Sequence, residues 1–154
     1  MNWSTNTRTV LPMVPALAIS LIVSWSDMAW AGTQREAAQR IGAMGPYPYQ
    51  KLWYQGHWGF QYYMDRHGGQ AFDFGQDSLS QGDLMVIPAN NTNLVYHEFF
   101  AFLRTIRIDS GGLVSTMAPL AGAGFYTDLW GPLPYRFGRP DAEQYHLFVI
   151  RGGS

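Results

Sequence analysis

Tyr54-Gln55-Gly56-His57-Trp58-Gly59-Phe60-Gln61-Tyr62-Tyr63-Met64 is the stretch on which the fold turns. Lys51-Leu52-Trp53-Tyr54 leads into it as an aromatic-rich run suited to a pleated, half-buried surface. Gly56 interrupts that run, and from Trp58 the spacing becomes helical. Trp58, Tyr62 and Asp65 share one helical stripe, Gln61 and Met64 the next, until Gly68-Gly69 supplies a C-cap. A strand, a glycine turn and a short helix open an α/β unit. Polar groups at such a junction stand near a helix N-terminus, where ligands often bind.

Downstream, Leu84-Met85-Val86-Ile87 is a continuous apolar run between Asp83 and Pro88, the pattern of a buried central strand. Apolar spacing from Leu94 to Leu103 favours a helix burying Phe99, Phe102 and Leu103. Thr105 to Ile108 alternates as a strand does, Val114 to Met117 is a short strand candidate, and Gln144 to Arg151 closes the chain as a strand. The soluble part thus reads as a small α/β domain of four or five strands with a few helices.

Upstream, Thr9 to Ser26 carries no charged side chain. This run approaches the ~20 residues of a membrane helix, with Trp25 and Trp30 where interfacial aromatics belong. Ala29-Trp30-Ala31 also spells a signal-peptide cleavage site, so secretion after cleavage is the alternative, and a buried soluble helix the third reading. Thr33-Gln34-Arg35-Glu36 is a capping-box pattern that starts a short helix ending at Gly42. Pro46-Tyr47-Pro48-Tyr49 reads as a stiff linker. The expected organisation is a membrane helix with its entry segment over 1–31, a capped helix and linker over 32–49, and the α/β domain over 50–154.

Composition narrows the function classes. Charged residues make up 14% of the 154 residues, against ~25% in average globular chains, while aromatics reach 16%. A net charge of −1 without a basic run offers nothing to nucleic acid. With no cysteine, neither a disulfide scaffold nor a thiolate metal site is possible. His57, His67, His97 and His146 lack ligand spacing, so no metal and no cofactor are expected. Asp73, Asp77 and Asp83 do not fit a calcium loop and read as solvated carboxylates. No phosphate loop follows Gly122-Ala123-Gly124.

Candidate ligand contacts fall in three places. His57, Trp58 and Gln61 flank the strand-to-helix turn, where an imidazole and an indole can hold a sugar or phosphate; their bland reading is core packing. Asn90 and Asn91, in Asn90-Asn91-Thr92-Asn93, lie past the end of the buried strand, a place that suits turns and ligands alike. Tyr126 and Trp130 belong to a glycine-hinged aromatic loop. No catalytic residue stands out: Asp65 with Asp128 has no support, and no G-x-S-x-G nucleophile motif is present.

Asn2-Trp3-Ser4-Thr5-Asn6-Thr7-Arg8-Thr9-Val10-Leu11-Pro12-Met13-Val14-Pro15-Ala16 resembles the entry to the last membrane helix of bacterial family-39-type glycosyltransferases, relatives of dolichyl-phosphate-mannose protein mannosyltransferases. Gly56 to Tyr63, Gly82-Asp83-Leu84, Asn90 to Asn93, Gly122 to Tyr126 and Trp130-Gly131-Pro132-Leu133-Pro134 resemble the soluble tail that follows. The resemblance implies the C-terminal part of a transferase of the bacterial inner membrane, with its soluble domain outside the cytoplasm. Its partners would be the lipid bilayer, an N-terminal membrane domain of the same enzyme carrying the catalytic acid, and a polyprenyl-phosphate sugar donor. The alternative is a membrane-anchored or secreted carbohydrate-binding module without catalysis.

Overall fold

A computed structural model describes residues 11–44, 50–124 and 131–152. It is a mixed α/β structure: one long apolar helix, then a small domain around a five-stranded mixed sheet with two small two-stranded sheets and a second helix. Contacts divide the chain into two units, residues 1–30 with 111–140, and residues 31–110 with 141–154.

Helix α1 runs unbroken from Met13 to Gly42. Its first part is apolar on every side and exposed: Leu17, Leu21 and Trp25 are each about 60% exposed. From Thr33 a stripe appears. Thr33, Gln34, Ala37, Ala38 and Ile41 are buried, while Arg35, Gln39 and Arg40 face outward. This is the i, i+3/i+4 pattern of a helix docking one face on a core. Thr33 is therefore not an N-cap. Its hydroxyl meets the Tyr145 hydroxyl at 3.2 Å, and Glu36 turns forward to Arg40 at 2.5 Å instead of back. The pattern of a capping box is present, but the helix upstream continues through it.

In the second unit, β1 (Leu52–Tyr54), helix α2 (Trp58–Arg66) and β2 (Gln70–Ala71) form a compact crossover in which the two strands pair in parallel. β3 (Leu84–Pro88) pairs in parallel on the other side of β1. β9 (Glu143–Ile150) then lies antiparallel between β3 and β4 (Phe100–Ile108), giving the order β2-β1-β3-β9-β4. Every residue of β3 is buried, as a strand covered on both faces requires. Leu84 and Val86 join Tyr54, Tyr145, Leu147 and Ile108 beneath the Ala37, Ala38 and Ile41 face of α1 and the Phe60 and Met64 face of α2. Met85 and Ile87 join Trp53, Phe100, Phe148 and Ile150 on the other face.

Helix α2 ends in a Schellman motif: Gly68 N–H reaches Asp65 O at 3.2 Å and Gly69 N–H reaches Met64 O at 2.9 Å, with Gly68 at φ +80°. The stripe it buries is Phe60 with Met64, leaving Trp58 and Tyr62 exposed. The expected helix over 94–103 does not form. Residues from Phe100 onward pair with β9, and the aromatic and β-branched content of Phe100–Ile108 suits a strand. Phe102 and Leu103 stay exposed at a bulge between Phe102 and Arg104.

The other unit contains α1 up to Trp30 and short ribbons: β5 (Val114–Ser115) with β8 (Arg136–Phe137), and β6 (Met117–Ala118) with β7 (Ala123–Gly124). β6 and β7 flank a 3-10 turn, Pro119–Ala121. Thr116 Oγ1 donates to Asp27 Oδ1, and Gly112 lies against Ser26, so this segment is fastened to α1 at the end of its uncharged run.

Candidate functional site

β1, β2 and β3 run parallel, so Tyr54, Ala71 and Pro88 all finish at one edge of the sheet. Open α/β sheets bind ligands outside the carboxyl ends of their strands. A cleft of about 250 Å³ opens there, lined by Tyr54, Gln55, Gly56, His57, Gln61, Ala71, Phe72, Phe74 and Asn93.

The turn after β1 is held by neighbours on every side. Gln55 is buried, and its amide closes a pair of bonds with one residue: Nε2 donates to Val95 O at 2.8 Å, and Oε1 accepts from Val95 N–H at 2.7 Å. Asn91 Oδ1 accepts from His57 N–H at 3.3 Å and Thr92 N–H at 2.8 Å. Gly56 sits at φ +105°, and a β-carbon there would come within 2.8 Å of Pro88 Cγ and 3.0 Å of Asn91 Nδ2. Only glycine satisfies both the backbone angle and the space. A β-carbon at Gly59 would stand 2.5 Å from Gln34 Oε1, the tip of a side chain carried by α1.

Trp58 departs from these comfortable geometries. It opens α2 at φ +61°, a left-handed angle that a bulky side chain rarely adopts, and its ring is 55% exposed beside His57, with centroids 6.5 Å apart. Backbone strain of this kind clusters at ligand sites.

On the wall opposite the turn, Phe72 and Phe74 contact edge to face at 4.7 Å, and Phe74 meets His97 at 4.9 Å. The Tyr54 hydroxyl donates to Asp65 Oδ1 at 2.5 Å. Burial, reinforced by that hydrogen bond and the Asp65 charge, pushes the Tyr54 phenol well above its ordinary value. Among the lining residues there is no carboxylate, lysine or arginine. What remains for a ligand is two phenylalanine rings, the Gln61 and Asn93 amides and the His57 imidazole. Such a surface stacks and hydrogen-bonds; it holds no pair of acids for general acid–base work.

The expected contacts divide as follows. His57 and Gln61 line the cleft, while Trp58 is exposed beside His57 and is not part of the lining. Asn91 positions His57 through its backbone. Asn90 faces away, its Nδ2 donating to Glu143 Oε1 at 3.1 Å. Tyr126 and Trp130 lie outside the described residues, as does Asp128. Phe72, Phe74, Gln55 and Asn93 are additions. Phe72-Asp73-Phe74, two aromatics two apart in a polar loop, is the signal that could have exposed the wall.

One carboxylate needs correcting. Asp83 is fully buried, not solvated: its Oδ2 accepts from Trp53 Nε1 at 2.8 Å and Ser80 N–H at 2.9 Å. Asp73 and Asp77 do cap exposed turns, accepting from the Gly75 and Asp73 N–H groups. Among the described residues, no three His, Asp or Glu side chains converge as a metal site would need.

Comparison with known proteins finds no family model that matches the chain, no matching curated protein and no matching solved structure.

Proposed function

We propose that this chain is a membrane-anchored domain that holds a sugar in the cleft at the ends of β1, β2 and β3. We further propose that it acts as the soluble tail of a transferase that moves a sugar from a polyprenyl-phosphate carrier to an acceptor outside the cytoplasm. The lining of the cleft carries the first part. Rings that stack on C–H faces, beside neutral amides that donate and accept, suit an uncharged polyol. The absence of a carboxylate, lysine or arginine from the lining supports binding rather than chemistry at this spot. In the transferase reading, catalysis belongs to the membrane domain, and this cleft receives the acceptor or the donor sugar. Two phenylalanines, a strained tryptophan and a locked turn are more than a plain surface requires.

Anchoring has its own support. α1 is long and apolar enough to cross a membrane, and only 6% of its most apolar window is buried in the protein. A core helix of a soluble protein would be mostly buried. α1 also continues without a break through Ala29-Trp30-Ala31 into the docked stripe, which favours an uncleaved anchor over a removed signal.

The test is titration of the full chain, reconstituted in lipid nanodiscs, with neutral oligosaccharides while following tryptophan fluorescence. Saturable change that Gln61→Ala weakens and Trp58→Ala abolishes is the expected result; a flat response to every glycan sinks the binding role. For the transferase role, deleting everything after Tyr49 from the whole enzyme should reduce transfer, and undiminished transfer would dispose of it.

A further inference from the structure

We infer that the ribbon formed by residues 113–115 and 135–138 is a second membrane contact, one that dips into the lipid headgroup region beside the α1 span. This inference rests on reading the first part of α1 as that span.

From Met13 to Ser26 the helix rises about 20 Å at 1.5 Å per residue. The whole uncharged run from Thr9, at helical rise, would reach only about 27 Å, against a hydrocarbon core of ~30 Å. A span shorter than the core thins the bilayer around it and draws flanking groups into the interface. The groups flanking this span are known. Asp27 binds Thr116, and Ser26 lies against Gly112, so residues 112–116 sit level with the point where α1 stops being apolar.

That level carries unusual side chains for a surface facing water. Leu113 is 76% exposed and Phe137 72% exposed, and they stand at one end of the same ribbon, where Gly138 N–H donates to Leu113 O at 2.9 Å. Tyr135 packs edge to face on Phe137 with ring centroids 5.2 Å apart. Leu133, half exposed, leads into them. Arg136 and Arg139, both exposed, bracket Phe137 in the chain. A leucine, a tyrosine and a phenylalanine flanked in the chain by arginines are the composition of a membrane-interface element: rings at the ester level, cations at the phosphates. The occupant is therefore a lipid surface containing anionic headgroups.

The chain has no cysteine, so single reporters can be placed cleanly. Leu113→Cys, Phe137→Cys and, within the span, Leu21→Cys would each be labelled with a polarity-sensitive fluorophore in the full chain. The labelled proteins are then reconstituted in vesicles containing phosphatidylglycerol. Quenching by doxyl-labelled lipid is compared with quenching by iodide in the water. The expected result is loss of most emission to the lipid quencher at all three sites, with Arg139→Gln reducing the effect at position 137. If position 21 answers to lipid but 113 and 137 answer only to iodide, the second contact is overturned while the anchor stands. If 113 and 137 answer to lipid but 21 does not, the ribbon is a membrane contact and the spanning helix is wrong. Iodide quenching at all three removes both.

Discussion

The two parts of α1 make an instructive pair. Both belong to one continuous helix, yet Met13–Trp30 exposes leucine, isoleucine and tryptophan, whereas Ala31–Gly42, with few large apolar side chains, is buried along Thr33, Ala37, Ala38 and Ile41. Burial here follows the arrangement of apolar groups, not their number. A helix apolar all round has no face to prefer, and suits an apolar solvent; a narrow stripe of small residues suits a sheet. The same backbone thus carries two patterns, and only one of them has a face to dock.

The comparison can be broken hardest by charge. Ala38→Asp places an unpaired carboxylate in a fully buried site and should cost ~3–5 kcal/mol, enough to unfold the sheet domain as read by near-UV circular dichroism. Ala18→Asp should leave that signal intact while opposing membrane insertion by roughly 2.5–3.5 kcal/mol, read by vesicle flotation. Equal effects on the sheet domain would end the distinction.

Truncation sharpens it next. Ile41→Ala should lower unfolding free energy by about 2–4 kcal/mol. Leu21→Ala should change it by less than about 0.5 kcal/mol in detergent.

Alkaline titration follows. Burial drives the phenols of Tyr54 and Tyr145 upward, with the nearby Asp65 and Glu143 charges adding to the push. A group whose pKa is raised on folding contributes stability present below its unfolded value, near 10, and lost as pH climbs toward the folded one. The sheet domain should therefore melt at lower temperature above pH ~10, less so in Tyr145→Phe, while helicity of the apolar part holds. A modest effect belongs to Thr33→Val, which removes the hydroxyl contact with Tyr145 and should cost about 1 kcal/mol in the same melts.

Local patterns in the chain carried a good share of this architecture. The apolar run 84–87, the closing strand, the strand before Gly56 and the cap at Gly68-Gly69 are written in neighbouring residues, and each is found where its pattern put it. The failures have one cause, partners far away in the chain. Thr33 carries the signature of an N-cap, but its hydroxyl partner lies at Tyr145. The spacing of Leu94 to Leu103 fits a helix until β9 supplies a strand to pair with. Asp83 looks like a loop carboxylate until Trp53 is brought beside it. In the cleft, His57 and Gln61 could be read from the turn that carries them. Phe72, Phe74 and Asn93 arrive there only through the register of three parallel strands.

The position of β9 has a consequence for biosynthesis. It follows the other four strands of its sheet in the chain, yet it lies between β3 and β4 and hydrogen-bonds to both. A ribosome delivers α1 long before that strand emerges, so the apolar helix is available for insertion while the sheet is still missing its central staple. Until residues 143–150 are released, β3 and β4 both present unpaired edges, the state most open to mispairing and to chaperones. Where α1 serves as the proposed anchor, insertion would precede folding, and the nascent domain would complete its sheet already tethered, at a distance from other copies set by the membrane rather than by free diffusion.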